Sequence, residues 1–390
     1  LCHNTPFVVR HSSFVIRHPP FVVRHPSFVF YLRKTHMTPN TMHALVYTAP
    51  REGTMLQEIA RPEPGPGQAL LQVAAVGVCG TDVHVWQGEH QHMRGPVVLG
   101  HEFAGVVAAV GPGVSNVRVG ERVVSETAAF VCGACIYCRS GNYNVCPNRR
   151  GFGFQADGAM AHYVCSRPAI LHRVPEHVPM AYAALTEPAC VAYNAIIEKS
   201  RPRPGEHAVV IGPGPIGLMC VQILRLCGPS RLTMIGLRQD SARLELAKLL
   251  GADEVIVADE ENAVERVRSW GDGFGAHLVV DAVGVSATLN QSLDLVRSNG
   301  QITKIGWGPA PVGFSIDRLV AKAATLQGSF SHTYQTWENV LALFGAGKLD
   351  VRPLIALHSL EDWHTAFSAM EDLEVAKAVL LPNGSTPAEV

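Results

Sequence analysis

Four cysteines, Cys132, Cys135, Cys138 and Cys146, stand at CxxCxxC-x7-C spacing within 15 positions of this 390-residue chain. No other feature constrains the fold as much. Thiolates at such intervals can converge on one tetrahedral Zn²⁺, at about 2.3 Å per sulfur. Gly133, Gly141 and Pro147 supply the tight backbone around them. Two disulfides are the competing reading, but that framework belongs to small secreted chains of fewer than about 100 residues. A shell of four thiolates leaves no open coordination position, so the lobe is expected to stabilise and not to catalyse. The chemistry must be sought elsewhere.

A chain of this length exceeds what one hydrophobic core ordinarily serves, and two domains are expected. Apolar residues make up 47% and charged residues 17%, as in a well-buried soluble protein. A formal net charge of −1 gives no electrostatic basis for nucleic acid or an anionic membrane as partner. No apolar run reaches the roughly 20 residues of a membrane-spanning helix. Cys165, Cys190, Cys220 and Cys227 lie scattered in apolar context and read as free thiols. A reducing, cytoplasmic setting is the expectation.

The N-terminus has another character. Phe7–Ser13, Phe14–Pro20 and Phe21–Ser27 form a seven-residue repeat, and Phe28 opens a fourth copy. Its prolines and adjacent apolar residues exclude a coiled coil, and its arginines interrupt any secretory apolar core. A tandem repeat translated from upstream of the true start, at Met37 or Met42, is the preferred account. Residues 1–36 are therefore read as an extension outside the fold.

From His43 to about Val164, short β-rich runs such as Ala44–Tyr47, Ala69–Val73 and Gly105–Val110 alternate with Gly and Pro, and long helical patterns are absent. This predicts a compact β-barrel-like domain. The character changes near Pro188. Ala208–Ile211, Leu232–Ile235, Val255–Val257, Leu278–Val280 and Gln301–Thr303 read as buried strands, with helical patterns after the first two. Such alternation predicts an α/β, doubly wound parallel sheet. A helix at Trp337–Phe344 and a strand at Lys377–Leu380 return to the first domain. The expected division is 37–190 with 329–390 for the first, β-rich domain, and 191–328 for the doubly wound domain.

Gly212-Pro213-Gly214-Pro215-Ile216-Gly217 fits G-x-G-x-x-G between a strand and a helix. The first glycine permits the turn, the second admits pyrophosphate to the backbone, and the third lets helix and strand close. Phosphates would sit on the free N–H groups of the helix N-terminus. At the end of the second strand, where an acid commonly holds the adenosine ribose, stands Gly236 followed by Leu237 and Arg238. A missing carboxylate beside a guanidinium favours NADP over NAD, although Asp240 offers an alternative ribose contact.

Three segments carry ligands for a second zinc: Cys79-Gly-Thr81-Asp82-Val-His84, His101-Glu102, and Thr186-Glu187-Pro188. Thiolate, imidazole and carboxylate together make a mixed site with room for substrate, as catalytic zinc requires. Each has a plainer reading, as core cysteine, turn histidine or helix N-terminal acid. Trp86 reads equally as pocket wall or core residue.

In this order the motifs GVCGTDVH, GHEFAG, the four-cysteine lobe, EP and the glycine loop resemble the zinc-containing medium-chain dehydrogenase/reductase family. The similarity is greatest to its polyol (sorbitol-type) and threonine dehydrogenase branch, over about residues 42–382. The resemblance implies a GroES-like catalytic domain completed by the C-terminal segment, a Rossmann domain inserted between, and an active site in the cleft. It implies catalytic zinc on Cys79 and His101, with Glu102 or Glu187 as the remaining ligand, and structural zinc on Cys132, Cys135, Cys138 and Cys146. Such a zinc lowers the pKa of a substrate hydroxyl, and hydride passes to nicotinamide C4. Thr81 would begin a proton relay continued by the cofactor ribose and His84, with Asp82 orienting a ligand.

The expected activity is therefore zinc-dependent, NAD(P)-linked oxidation of a secondary alcohol, a polyol or similar small polar alcohol, to a ketone. One alternative is a threonine-type amino-alcohol dehydrogenase, which needs a cation for the substrate carboxylate. The other is a non-catalytic zinc- and nucleotide-binding protein. A homodimer or homotetramer is expected, with a small-molecule substrate as the other partner.

Overall fold

The structure, a computed structural model, describes residues 40–90, 93–308 and 310–384. The seven-residue repeats and Met37 lie outside the described residues.

Strand Thr41–Tyr47 pairs antiparallel with Thr54–Ala60 and, at Val46 and Tyr47, with the short strand Val97–Val98. Beside them a seven-stranded sheet runs in the order Ile355–Ser359, Lys377–Leu381, Ala69–Gly77, Glu102–Val110, Arg122–Ser125, Leu171–Arg173, with Tyr163–Ser166 also paired to Ala69–Gly77. The apolar run at Ala69–Gly77 is buried along almost its whole length, as a strand covered on both faces must be. The strand Lys377–Leu381 lies antiparallel to it through Val379 opposite Gly77 and Leu380 opposite Val76. Thus the end of the chain lies against the strand that leads into Cys79. Glu102 is opposite Gly77 on the other side.

The second half builds a six-stranded parallel sheet in the order Glu254–Val257, Arg231–Gly236, His207–Ile211, Ala276–Asp281, Val296–Lys304, Thr325–Gly328. Counted along the chain this is three-two-one-four-five-six, the order of doubly wound dinucleotide-binding sheets. His207–Ile211 is buried throughout, and the glycine loop leaves it at the point where the strand order reverses. Ala75, Ala104 and Val124 of the first half share one core with Val210, Leu218, Trp337 and Leu341. The expected combination of a β-rich part and a doubly wound sheet is what is observed.

Local differences have local causes. The helix Gly80–Gln87 falls in the stretch read as β-rich, because it buries Asp82 with Val83, Val85 and Trp86 and shows no clean apolar stripe. The helix expected at Trp337–Phe344 begins one turn earlier, at Tyr334, and continues to Gly345. Trp86 is a core residue, packed edge-on against Trp363 and Phe367.

Candidate catalytic and metal centres

Cys79 caps the helix Gly80–Gln87, and its backbone N–H donates to Asp82 Oδ2 at 2.9 Å. That bond fixes the turn that carries the thiol. The ligand atoms of Cys79, His101 and Glu102 lie within 4.8 Å of one another. Thr81 Oγ1 is 3.5 Å from Cys79 Sγ. Asp82 Oδ1 faces His101 Nδ1 at 3.7 Å, and both atoms are buried without a hydrogen-bond partner among the described residues. A carboxylate behind the far side of an imidazole leaves Nε2 for a metal. Burial opposes a charge on His101, but Asp82 and then Cys79 outweigh it and hold the pKa well above the ordinary imidazole value. Sulfur, nitrogen and oxygen donors with orphaned buried polar atoms behind them fit a borderline cation such as Zn²⁺. Phe154 closes one side, 5.3 Å from the His101 ring.

Glu187, near the N-terminus of the helix Thr186–Tyr193, stands outside that trio. Its Oε1 is 3.2 Å from His332 Nε2, and Trp337 Nε1 donates to His332 Nδ1 at 2.7 Å. Because Nδ1 accepts, Nε2 carries the proton and donates to Glu187. Burial pushes the Glu187 pKa up, but the His332 bond, with the positive charges of His101 and Lys377, prevails and holds it below the usual value. Glu102 has a different partner, the buried ammonium of Lys377 at 2.8 Å from Oε1. Burial works against that ammonium, yet Glu102 and Cys79 raise its pKa above the ordinary lysine value. Gly77 makes room for the pair, since a Cβ there would fall 2.3 Å from Glu102 Oε2 and 3.3 Å from Lys377 Cε.

His84 lies apart from the trio, exposed and bonded through Nδ1 to Glu89 Oε2 at 2.7 Å. Lys377, His332 and Trp337 belong to no motif. The one signal for them was a lone lysine at the head of an apolar strand.

In the cysteine lobe, Sγ separations are 3.9 Å for Cys132–Cys138, 3.9 Å for Cys135–Cys146 and 3.6 Å for Cys132–Cys146. Four sulfurs at about 2.3 Å around one ion would stand about 3.8 Å apart, whereas a disulfide requires about 2.05 Å. The backbone N–H of Cys135 points at Cys132 Sγ from 3.4 Å, and that of Cys138 at Cys135 Sγ from 3.5 Å. The N–H groups of Cys135 and Ala134 lower the Cys132 pKa to about 6, so a thiolate is favoured there before any metal arrives.

The glycine loop is shaped for close approach. Gly212 has φ +98°, and a Cβ on Gly217 would lie 1.9 Å from the Gly212 carbonyl oxygen. At Gly214, by contrast, a Cβ would meet nothing within 4 Å, and the helix begins at the next residue, Pro215. Gly236 ends its strand against Pro213 Cγ and Leu244 Cδ2, 3.0 and 3.1 Å from a Cβ. Arg238 is exposed and pairs with Glu260 at 2.9 Å, while its N–H donates to Asp259 at 2.8 Å. Asp240 Oδ2 accepts from Leu237 N at 3.0 Å, so this carboxylate is engaged within its own loop.

Residues 65–176 match the alcohol dehydrogenase GroES-like domain and residues 215–346 the zinc-binding dehydrogenase domain. A sorbitol dehydrogenase of Halalkalibacterium halodurans is 37% identical over 87% of this chain and 99% of its own length. This chain belongs to the zinc-containing alcohol dehydrogenase family. It is an oxidoreductase acting on CH–OH groups. Among other members, an L-threonine 3-dehydrogenase of Pyrococcus abyssi is 34% identical over 87% of this chain and 98% of its own. The alcohol dehydrogenase TADH of Thermus sp. ATN1 superposes with a TM-score of 0.80 at 32% identity, covering 87% of this chain and 99% of that one. Both halves of the fold are thus those of the family, a GroES-like part and a Rossmann-type sheet. Among the described residues no helix is long and apolar enough to cross a membrane.

Proposed function

We propose that this dehydrogenase oxidises the secondary carbinol of a polyol, or of a similar small polar alcohol, to a ketone, with NADP as preferred cofactor. The observation that carries the reading is the convergence of Cys79, His101 and Glu102 within 4.8 Å, with Thr81 against the thiol. When bound, the zinc would acidify the substrate hydroxyl, and the nicotinamide would serve as hydride acceptor. Cys79, His101 and Glu102 would hold the catalytic ion, and Glu187 stands by as a second carboxylate that His332 keeps ionised. Thr81 would accept the hydroxyl proton and the exposed His84 would release it to solvent, with a bound cofactor ribose supplying the link between them. Asp82 orients Cys79 and His101. The second ion belongs to Cys132, Cys135, Cys138 and Cys146, and it supports the lobe alone.

Cofactor contacts fall to Gly212, Gly214, Pro215, Ile216 and Gly217 for the pyrophosphate, and to Gly236, Arg238 and Asp240 around the adenosine ribose. Gly236 brings no carboxylate, Asp240 is spent on Leu237 N, and the Arg238 guanidinium needs only to leave Glu260 to meet a 2′-phosphate. The uncovered edge strand Thr325–Gly328, with Leu326 exposed, suits pairing with a second copy as a homodimer or homotetramer. A domain division at 37–190 with 329–390 and 191–328, and a cytoplasmic location, complete the reading.

The threonine-type alternative needs a cation for the substrate carboxylate. Arg149 meets that need best, because its charge reaches Glu187, its Nη2 bonds Thr127 Oγ1, and its Nε is buried without a partner among the described residues. The test is absorbance at the reduced-nicotinamide band with polyols, simple secondary alcohols and L-threonine, each with NAD⁺ and NADP⁺, with and without a chelator. Chelator-sensitive turnover of a polyol with NADP⁺ is expected. Turnover of L-threonine alone would overturn the substrate assignment, and no turnover by protein holding two zincs would favour a non-catalytic role.

A further inference from the structure

Three groups far apart in sequence meet at a place with no part in the chemistry above. His43 lies in the strand Thr41–Tyr47, His162 just before the strand Tyr163–Ser166, and Glu361 in the turn after the strand Ile355–Ser359. One ligand atom from each lies within 4.8 Å of the other two. His43 Nδ1 is 3.9 Å from Glu361 Oε1, and the two imidazole rings are 5.5 Å apart and tilted by 47°, so the pair is not stacked.

We infer that His43, His162 and Glu361 form a further metal site, separate from the catalytic cluster and the cysteine lobe, that takes a borderline divalent transition ion of the Zn²⁺ class. Two imidazoles and one carboxylate match that class, whereas Ca²⁺ and Mg²⁺ call for shells of oxygen. A tetrahedral shell with bonds of about 2.0–2.1 Å sets its donors about 3.4 Å apart. Closing from the present spacing therefore takes a shift of about 1 Å, which the exposed Glu361 side chain can make by rotation.

The two rings are hung on fixed backbone. His162 N donates to the His43 carbonyl at 3.2 Å, and the His162 carbonyl accepts from Val73 N at 3.0 Å and from Asn383 Nδ2 at 2.9 Å. His43 is held in register opposite Glu58. Two preset ligands and one mobile ligand let an ion enter from solvent, with water completing the shell. Once bound, it would tie the first described strand to the turn ahead of the last helix, closing long loops at a cost already met by the fold.

The experiment uses the full-length enzyme with its resident zinc, dialysed against micromolar Zn²⁺ and then counted by plasma mass spectrometry. The variants are His162→Ala and Glu361→Gln. Wild type should hold one more zinc per chain than His162→Ala, and Glu361→Gln should bind that zinc at least about tenfold more weakly. Added Zn²⁺ should raise the wild-type Tm, and this rise should vanish in His162→Ala, while turnover with NADP⁺ stays at the wild-type level. Comparing variants cancels the other histidines, which all share. Should His162→Ala fail to fold, Glu361→Gln, changed only at an exposed oxygen, gives the reading by itself. Equal zinc content and an equal zinc-induced Tm rise in wild type and Glu361→Gln would overturn the site.

Discussion

Lys377 Nζ lies 2.6 Å from Glu102 Oε2, with both side chains almost wholly buried and 275 positions between them in the chain. The contact joins the strand Lys377–Leu381 to the residue next to His101, so a distant segment of the chain completes the surroundings of the Cys79, His101 and Glu102 cluster.

Breaking that pair from one side should be costly. Lys377→Met leaves the Glu102 carboxylate buried without its cation, and such losses run at about 3–5 kcal/mol. Lys377→Met with Glu102→Leu removes both charges and should be less destabilised than Lys377→Met alone. Urea unfolding at neutral pH measures both. A cost below about 1 kcal/mol for the single change would mean that solvent reaches the carboxylate.

The two sets of thiols should separate by what they lose. Cys135→Ser should lower bound zinc by one and lower the Tm, because the lobe at Cys132–Cys146 has backbone N–H groups aimed at sulfur and little core of its own. Cys79→Ser should also lose one zinc and abolish turnover, yet leave the Tm close to wild type. Metal analysis, calorimetry and the nicotinamide assay on both variants decide it. An unchanged Tm in Cys135→Ser would remove the structural role.

The two candidate metal clusters and the glycine loop were legible because each rests largely on a few residues close in sequence, whose spacing alone brings like chemistry together. Cys132 to Cys146 and Gly212 to Gly217 are of this kind, and Cys79 with Thr81 and Asp82 forms one turn. The supports were not legible. Lys377 in an apolar strand and His332 after a loop carry no local pattern, and only folding places them beside Glu102 and Glu187. The competition between Glu102 and Glu187 also could not be ranked from sequence, since both follow or precede the right neighbours. In the structure Glu102 joins the trio while Glu187 is taken up by His332. The helix Gly80–Gln87 escaped for a related reason, because it buries a carboxylate that serves the site where a periodic apolar face would otherwise stand.

Two glycines three positions apart should fail in different ways. Gly217→Ala places a methyl group 1.9 Å from the Gly212 carbonyl oxygen, in backbone that cannot swing aside. It should destabilise the second half of the protein by more than about 1 kcal/mol. Gly214→Ala meets open space at ordinary backbone angles, φ −70° and ψ 176°, so stability should change by less than about 0.5 kcal/mol. Its methyl group would stand where pyrophosphate nears the loop, and the Kd for NADP should rise at least about tenfold. Unfolding curves and cofactor titration by fluorescence distinguish the two. Unaltered affinity in Gly214→Ala would move the phosphates off this loop.

The dinucleotide-binding half should also weaken in mild acid through one histidine. His207 opens the central strand, and burial, with Arg231 adding to it, lowers its pKa to about 4. In the unfolded chain it titrates near about 6.5. Between these values the unfolded state binds the proton and the folded state does not, so stability falls as pH drops from 6.5 toward 4 and levels off below. The loss at pH 5 is about 2 kcal/mol. His207→Gln keeps a polar partner for Thr233 Oγ1, which His207 Nε2 meets at 3.1 Å, and removes the titration. Urea unfolding at pH 7 and pH 5 should show wild type losing about 2 kcal/mol more than this variant. Equal losses would place the His207 proton in both states alike, as for an imidazole open to solvent.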